Sequence, residues 1–191
     1  MRLSTVLIFS LIGFLLPGPP VLKGKPVSLR TGIYIFTEET ASEFYLLAPA
    51  WTVGYDVWHK SRLSLQVSTG FAYNSMKYDD HRHHLYMVPL LVTMTYDLPN
   101  PDARIWPCAG MGAGLLGKAD QNISYPAVHY SLSYGFHILG GLKIRLKGGW
   151  VLQTELLYNF LIPPVADDIG MSGIWLMTGV KIPVKKRGDS P

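Results

Sequence analysis

Residues 86–97, YMVPLLVTMTYD, alternate without a break. Tyr86, Val88, Leu90, Val92, Met94 and Tyr96 share one side, while Met87, Pro89, Leu91, Thr93, Thr95 and Asp97 share the other. Successive strand side chains point to opposite faces, so this pattern demands a β-strand and excludes a helix. The Pro99-Asn100-Pro101 cluster then turns the chain, and a second strand returns with glycine at positions 110, 112 and 114. The bounding tyrosines of the apolar face lie ten residues apart. At about 3.3 Å per residue and a tilt near 45°, they stand roughly 23–25 Å apart along a membrane normal, the height of the hydrocarbon band crossed by outer-membrane strands. A hairpin of this kind belongs to a transmembrane barrel.

Composition supports that class. The 191 residues are 48% hydrophobic and only 16% charged, too apolar for an ordinary water-exposed domain. After residue 24 no apolar run approaches the ~20 residues of a membrane helix, so the apolar content must be spread over alternating strands. The net charge of +4 is modest and the barrel region holds no Lys/Arg block, which argues against nucleic acid. The single cysteine, Cys108, excludes an intrachain disulfide and reads as a buried, inert thiol.

Three segments follow from this reading. Residues 1–24 are an export signal: Arg2, an apolar run from Leu3 to Leu16, then Pro17-Gly18-Pro19-Pro20, with cleavage between about residues 18 and 25. Residues 25–184 form the barrel, and residues 185–191 a disordered basic tail. Within the barrel, alternation places strands near 28–37, 47–58, 62–74, 86–97, 104–117, 132–146, 150–162 and 172–184. The connections at 59–61, 98–103 and 147–149 are short, and those at 38–46, 75–84, 118–131 and 163–171 are longer. Short turns on one side and long loops on the other are the habit of outer-membrane barrels, with the short turns in the periplasm. The expected fold is therefore all-β: an eight-stranded antiparallel up-and-down transmembrane barrel. Tyr86 lies near the outer interface and Tyr96 near the periplasmic one.

The polar face tells which side is inside. Water-facing surfaces carry about a quarter to a third charged residues; here the polar face is mostly Ser, Thr, Gly, Gln and Asn. That composition suits a packed polar interior, with small residues where a narrow barrel lacks room. The charges expected inside are Arg30, Asp56, Arg62, Asp97, Arg104, Lys143, Arg145, Glu155 and Lys181. Buried charges need partners, so salt bridges across the lumen are expected, with Glu155 pairing to Lys143 or Arg145.

On these patterns the chain resembles the small outer-membrane β-barrel domains, the group of OmpA-like, OmpX-like and OmpW-like barrels. The carriers are the 86–117 hairpin, Gly140-Gly141-Leu142-Lys143 through Leu156-Leu157-Tyr158, and the closing Gly179-Val180-Lys181-Ile182-Pro183-Val184. The resemblance implies an integral protein of the bacterial outer membrane, with the lipid bilayer and the outer-membrane assembly machinery as partners. Lipopolysaccharide or other surface ligands are candidates for the loops. It implies envelope structure or surface contact rather than catalysis, with passage of small solutes as the alternative and lipid modification as a third reading. Family members usually end on an aromatic residue read by that machinery, whereas this chain ends its last strand at Val184 and adds the tail.

No catalytic, cofactor or metal site is expected. His81, His83 and His84 with Asp79 and Asp80 carry metal-ligating chemistry, but on a polar loop without a rigid ligand spacing. His129-Tyr130-Ser131 resembles part of the His-x-Ser-Asn motif of lipid A 3-O-deacylases, with Leu132 in place of the asparagine. Its best strand acid, Glu155, is expected beside Gly141, far from His129, which leaves the base without an orienting carboxylate. His137 reads as a satisfied interior histidine. Arg187-Gly188-Asp189 and Asn122-Ile123-Ser124 match an adhesion tripeptide and a glycosylation sequon, and both are read as chance in a bacterial envelope.

Overall fold

A computed structural model describes residues 25–78, 81–98, 103–122, 128–162 and 170–183. It contains eight strands: β1 (Val27–Phe36), β2 (Leu47–Lys60), β3 (Leu63–Tyr78), β4 (His81–Asp97), β5 (Ile105–Asn122), β6 (Val128–Arg145), β7 (Val151–Ile162) and β8 (Gly173–Ile182). Each pairs antiparallel with the next, and β1 pairs with β8, Val27 opposite Ile182, to close the barrel. Closure leaves no unpaired edge, which is what a sheet in hydrocarbon requires. The segments assigned to an export signal and to a basic tail, and Val184 with them, lie outside the described residues.

The alternating face points outward. Leu90, Val92, Met94, Phe136, Ile138, Leu142 and Leu156 are each 44–54% exposed and form one continuous apolar wall, which only lipid can cover. Tyr86 stands opposite Tyr73 and Tyr96 opposite Leu63, so the two tyrosines bound this wall at its two ends. A bulge in β2 between Asp56 and Trp58 shifts the register by one residue and brings Trp58 into line with outward-facing Leu65. Alternation from Trp51 through Val53 and Tyr55 predicts Val57 in that place.

Three connections differ from expectation. The segment at 77–84, expected as a polar loop, is mostly strand: β3 runs to Tyr78 and β4 starts at His81. The 118–131 connection is likewise shortened, because β5 and β6 reach Asn122 and Val128. Cross-strand pairing continues above the apolar band, with Lys77 opposite Arg82 and Asp120 opposite His129, so polar side chains there do not end the ladder. The 38–46 connection contains a short helix, α1 (Glu39–Tyr45), which buries Ala41 and Tyr45. At the other end, Gly148 and Gly149 adopt φ of 75° and 80° in the β6–β7 turn, a conformation costly for any other residue.

Candidate functional site

The lumen is the place where chemistry or transport would occur, and the sequence divides it in two. In its periplasmic half three ion pairs meet. Arg30 donates to Glu155 at 2.5 Å and Lys143 to Asp97 at 2.5 Å, and Lys181 Nζ forms an ion pair with Asp56 Oδ2 at 2.5 Å. Arg30 Nε also donates to Thr52 Oγ1 at 3.1 Å. Gln66 Nε2 donates to Asp56 Oδ1 and to Ser28 Oγ, each at 3.0 Å.

The three pairs share one construction, in which each skips a strand. Arg30 on β1 reaches Glu155 on β7 across Gly179 of β8, where a Cβ would come within 2.8 Å of Arg30 Cγ. Lys181 on β8 reaches Asp56 on β2 across Ser28 of β1. Lys143 on β6 reaches Asp97 on β4 across β5, where Cys108, buried as expected, lies between Asp97 and Gly141. A small residue on the intervening strand leaves the long side chain its path.

Six of the nine charges expected inside are thus there, and three are not. Arg104 and Arg145 are exposed at the periplasmic rim, and Arg62 is half-buried in the β2–β3 turn. They sit at or beyond the strand ends, where the alternation no longer directs a side chain into the lumen. Arg145 instead lies over the ring of Trp106, 5.4 Å from its centroid. Neither expected partner of Glu155 pairs with it. Gly141, not Lys143, stands opposite Glu155, and Lys143 turns to Asp97.

The outer half of the lumen corrects the expectation of a polar interior. It is packed mainly with apolar side chains, among them Tyr34, Leu85, Met87, Leu116 and Trp175, all at most 2% exposed, with Lys118, Ser133 and Asn159 buried beside them. Tyr34 packs edge-on to Phe36 at 5.0 Å and against Trp175 at 4.7 Å, and its hydroxyl donates to the carbonyl of Met171. Above them α1 crosses the mouth. Tyr45 Oη donates to Asp120 Oδ2 at 3.0 Å, Phe36 packs on the Tyr45 ring at 5.6 Å, and Asn74 Nδ2 donates to the Tyr45 carbonyl at 2.6 Å. Asp120 belongs to β5, the strand diametrically opposite β1, so the Tyr45 side chain reaches from α1 across the opening. Burial, and then the Asp120 carboxylate, raise the pKa of the Tyr45 phenol and keep it a donor.

Between the halves lies a cavity of about 20 Å³, lined by Arg30, Thr52, Ser68, Glu155 and Trp175 among others. That is room for roughly one water. His137 lies nearby, with its Nε2 2.9 Å from Thr93 Oγ1, so it is a satisfied interior histidine. Gly112 makes space for it, since a Cβ there would stand 2.6 Å from His137 Nε2.

The other candidate residues are placed as follows. His83 and His84 are neighbours on β4 and so point to opposite faces. His84 Nδ1 is 2.7 Å from Tyr73 Oη, and its ring stacks on Tyr73 at 5.9 Å. Asp79 and Asp80 lie outside the described residues. His129 and Ser131 occupy the outer end of β6, His129 opposite Asp120 and Ser131 opposite Lys118. Glu155 is opposite Gly141, as the hairpin register predicts, and therefore far along the chain wall from His129. The carboxylate beside His129 is Asp120, which accepts the Tyr45 hydroxyl. Sequence reasoning overlooked it because the β5–β6 connection was placed too early.

No sequence-family model matches the chain, and no curated protein sequence is detectably similar to it. Solved structures do match. Neisserial surface protein A superposes with a TM-score of 0.58 at 16% identity, covering 83% of this chain and 96% of that one. The N-terminal β-barrel domain of Pseudomonas aeruginosa OprF gives 0.50 at 14%, covering 83% and 98%. Ail, the attachment invasion locus protein of Yersinia pestis, gives 0.53 at 11%, covering 83% and 99%. The chain has the fold of the small outer-membrane barrels. With that fold, a closed sheet and an outward apolar wall, it is a protein of the bacterial outer membrane, and its strands cross the bilayer.

Proposed function

We propose that this outer-membrane barrel is non-enzymatic and non-conducting, a closed scaffold that serves envelope structure or surface contact through its outer connections. The observation that supports this reading is the filled lumen. Ion pairs occupy one half, apolar side chains the other, and α1 lies across the outer mouth, with a one-water cavity between the halves. An eight-stranded barrel has interior space only for side chains, and here side chains take it. Single-channel recording in planar bilayers tests the proposal: a silent bilayer at protein densities that report known pores is the expected result. Discrete conductance steps would replace it with the passage reading. Catalysis is tested separately with a serine-directed fluorophosphonate probe and with acyl release from lipid A. Neither labelling of Ser131 nor release is expected, because Asp120 is already held by Tyr45.

A further inference from the structure

Charge is sorted along the barrel axis. The ion pairs make the lumen neutral, with Arg30, Lys143 and Lys181 set against Glu155, Asp97 and Asp56. Two outer connections are acidic, 38–46 with Glu38, Glu39 and Glu43 and 163–169 with Asp167 and Asp168, while 75–84 and 118–131 balance Lys77, Arg82 and Lys118 against Asp79, Asp80 and Asp120. The periplasmic end is the reverse. Its strand ends and turns carry Lys25, Lys60, Arg62, Arg104, Arg145 and Lys147, against one acid, Asp102, which lies outside the described residues. The sequence after β8 continues with Lys185, Lys186 and Arg187, which lie outside the described residues.

These cations encircle the opening, because they come from the start of β1 and from all three short junctions. They also sit just beyond lipid-facing aromatics. Lys60 follows Trp58 by two residues, Arg62 adjoins Leu63 opposite Tyr96, and Lys147 precedes Trp150 by three; Trp58, Tyr96 and Trp150 are 41–43% exposed. Aromatic rings of this kind mark the interface, so the cations lie at the level of the headgroups. Arg104, Arg145 and Lys147, with Leu146, line an open hollow of about 570 Å³, and Trp106 holds the Arg145 guanidinium at its edge.

We propose that this rim is a collar for anionic phospholipids of the periplasmic leaflet, and that the Arg104–Arg145–Lys147 hollow is its strongest phosphate subsite. Guanidinium and ammonium groups together satisfy a phosphodiester, and Leu146 and Ile105, 37% and 55% exposed, meet the acyl chains beside it. An encircling arrangement fits a surrounding lipid layer, whereas a docked protein would need a one-sided patch. The proposal rests on the membrane-spanning fold and not on the closed-scaffold reading, so a conducting barrel would leave it intact.

The test is native mass spectrometry of the full barrel extracted from vesicles of phosphatidylcholine mixed with cardiolipin or phosphatidylglycerol. Wild type is expected to retain the anionic lipids over phosphatidylcholine. The R104Q/R145Q/K147Q variant is expected to lose affinity by about fivefold per cation removed. K60Q/R62Q, at the neighbouring β2–β3 turn and outside the hollow, is expected to lose fewer bound lipids. Heat-modified mobility on gels confirms that each variant is folded. Equal retention of neutral and anionic lipids, or a triple variant that retains them like wild type, would overturn the proposal. So would displacement by inorganic phosphate at equimolar concentration, which would mark a free-phosphate site, or binding of poly-glutamate by a barrel that keeps no lipid.

Discussion

In the periplasmic half of the lumen, three cations and three carboxylates are paired at 2.5 Å. In the outer half, Tyr34, Leu85, Met87, Leu116 and Trp175 pack with no ion pair among them. Both halves exclude water, but they fail differently. An ion pair is a conditional stabiliser: desolvating the charges offsets most of their attraction, so its loss matters mainly when one partner is left alone. Apolar packing is graded, since each methylene removed costs a similar increment and the neighbours relax around the gap.

The largest effect is therefore expected from orphaning a charge. Glu155→Ala leaves Arg30 buried with Thr52 as its remaining partner among the described residues, and should destabilise the barrel by about 3–5 kcal/mol. The double variant R30M/E155L should recover most of that loss, a non-additivity that urea unfolding in lipid vesicles measures directly. If the double variant is as unstable as the single one, the pair is a net stabiliser and the contrast between the halves dissolves. In the outer half, Leu85→Ala should cost about 2–4 kcal/mol.

What the sequence made legible follows from the same contrast. Strict alternation fixes the face of every strand residue, so the barrel, its order of strands and the identity of Arg30, Asp56, Asp97, Lys143, Glu155 and Lys181 as interior charges could all be read in advance. Which cation meets which carboxylate could not. Each pair skips a strand, and its partner is decided by a small residue on a third strand, Gly179, Ser28 or Cys108, which no pairwise pattern contains. The apolar outer half was visible as Leu85, Met87 and Leu91 on the inward face of β4. It was missed because an average over the whole polar face hides a change of character along the axis. The helix α1 has only seven residues and no side-chain cap, so its order comes from Tyr45 and Ala41 docking into the mouth, a tertiary effect.

A smaller effect separates α1 from the packing beneath it. Tyr45→Phe keeps the ring on Phe36 but removes the hydrogen bond to Asp120, a loss of about 1 kcal/mol. Hydrogen exchange should rise in 39–46 and stay unchanged in β4 and β8, and the bilayer should remain silent because the apolar layer still closes the lumen. The raised phenol adds a pH signature. An unfolded tyrosine ionises near pH 10, so the docking is fully present below about pH 10 and weakens above it, as the unfolded state sheds a proton that the folded state holds. Tyr45→Phe should abolish that dependence of 39–46 exchange.

The smallest effect is expected at Trp175, and it is the sharpest test of the outer half. Its indole Nε1 is buried with no hydrogen-bond partner among the described residues, so a donor is kept from solvent there. Trp175→Phe deletes that donor and also deletes ring atoms packed against Tyr34. The two changes oppose each other, so the net shift should stay within about 1 kcal/mol, against the 3–5 kcal/mol that Trp→Ala truncations reach in cores. Trp175→His, close in size to Phe but polar, should cost more than Trp175→Phe if the one-water cavity that Trp175 lines gives its nitrogens no partner. If urea unfolding ranks the two equally, a buried polar group is tolerated there and the outer half is not the dry layer that distinguishes it from the ion-paired half below.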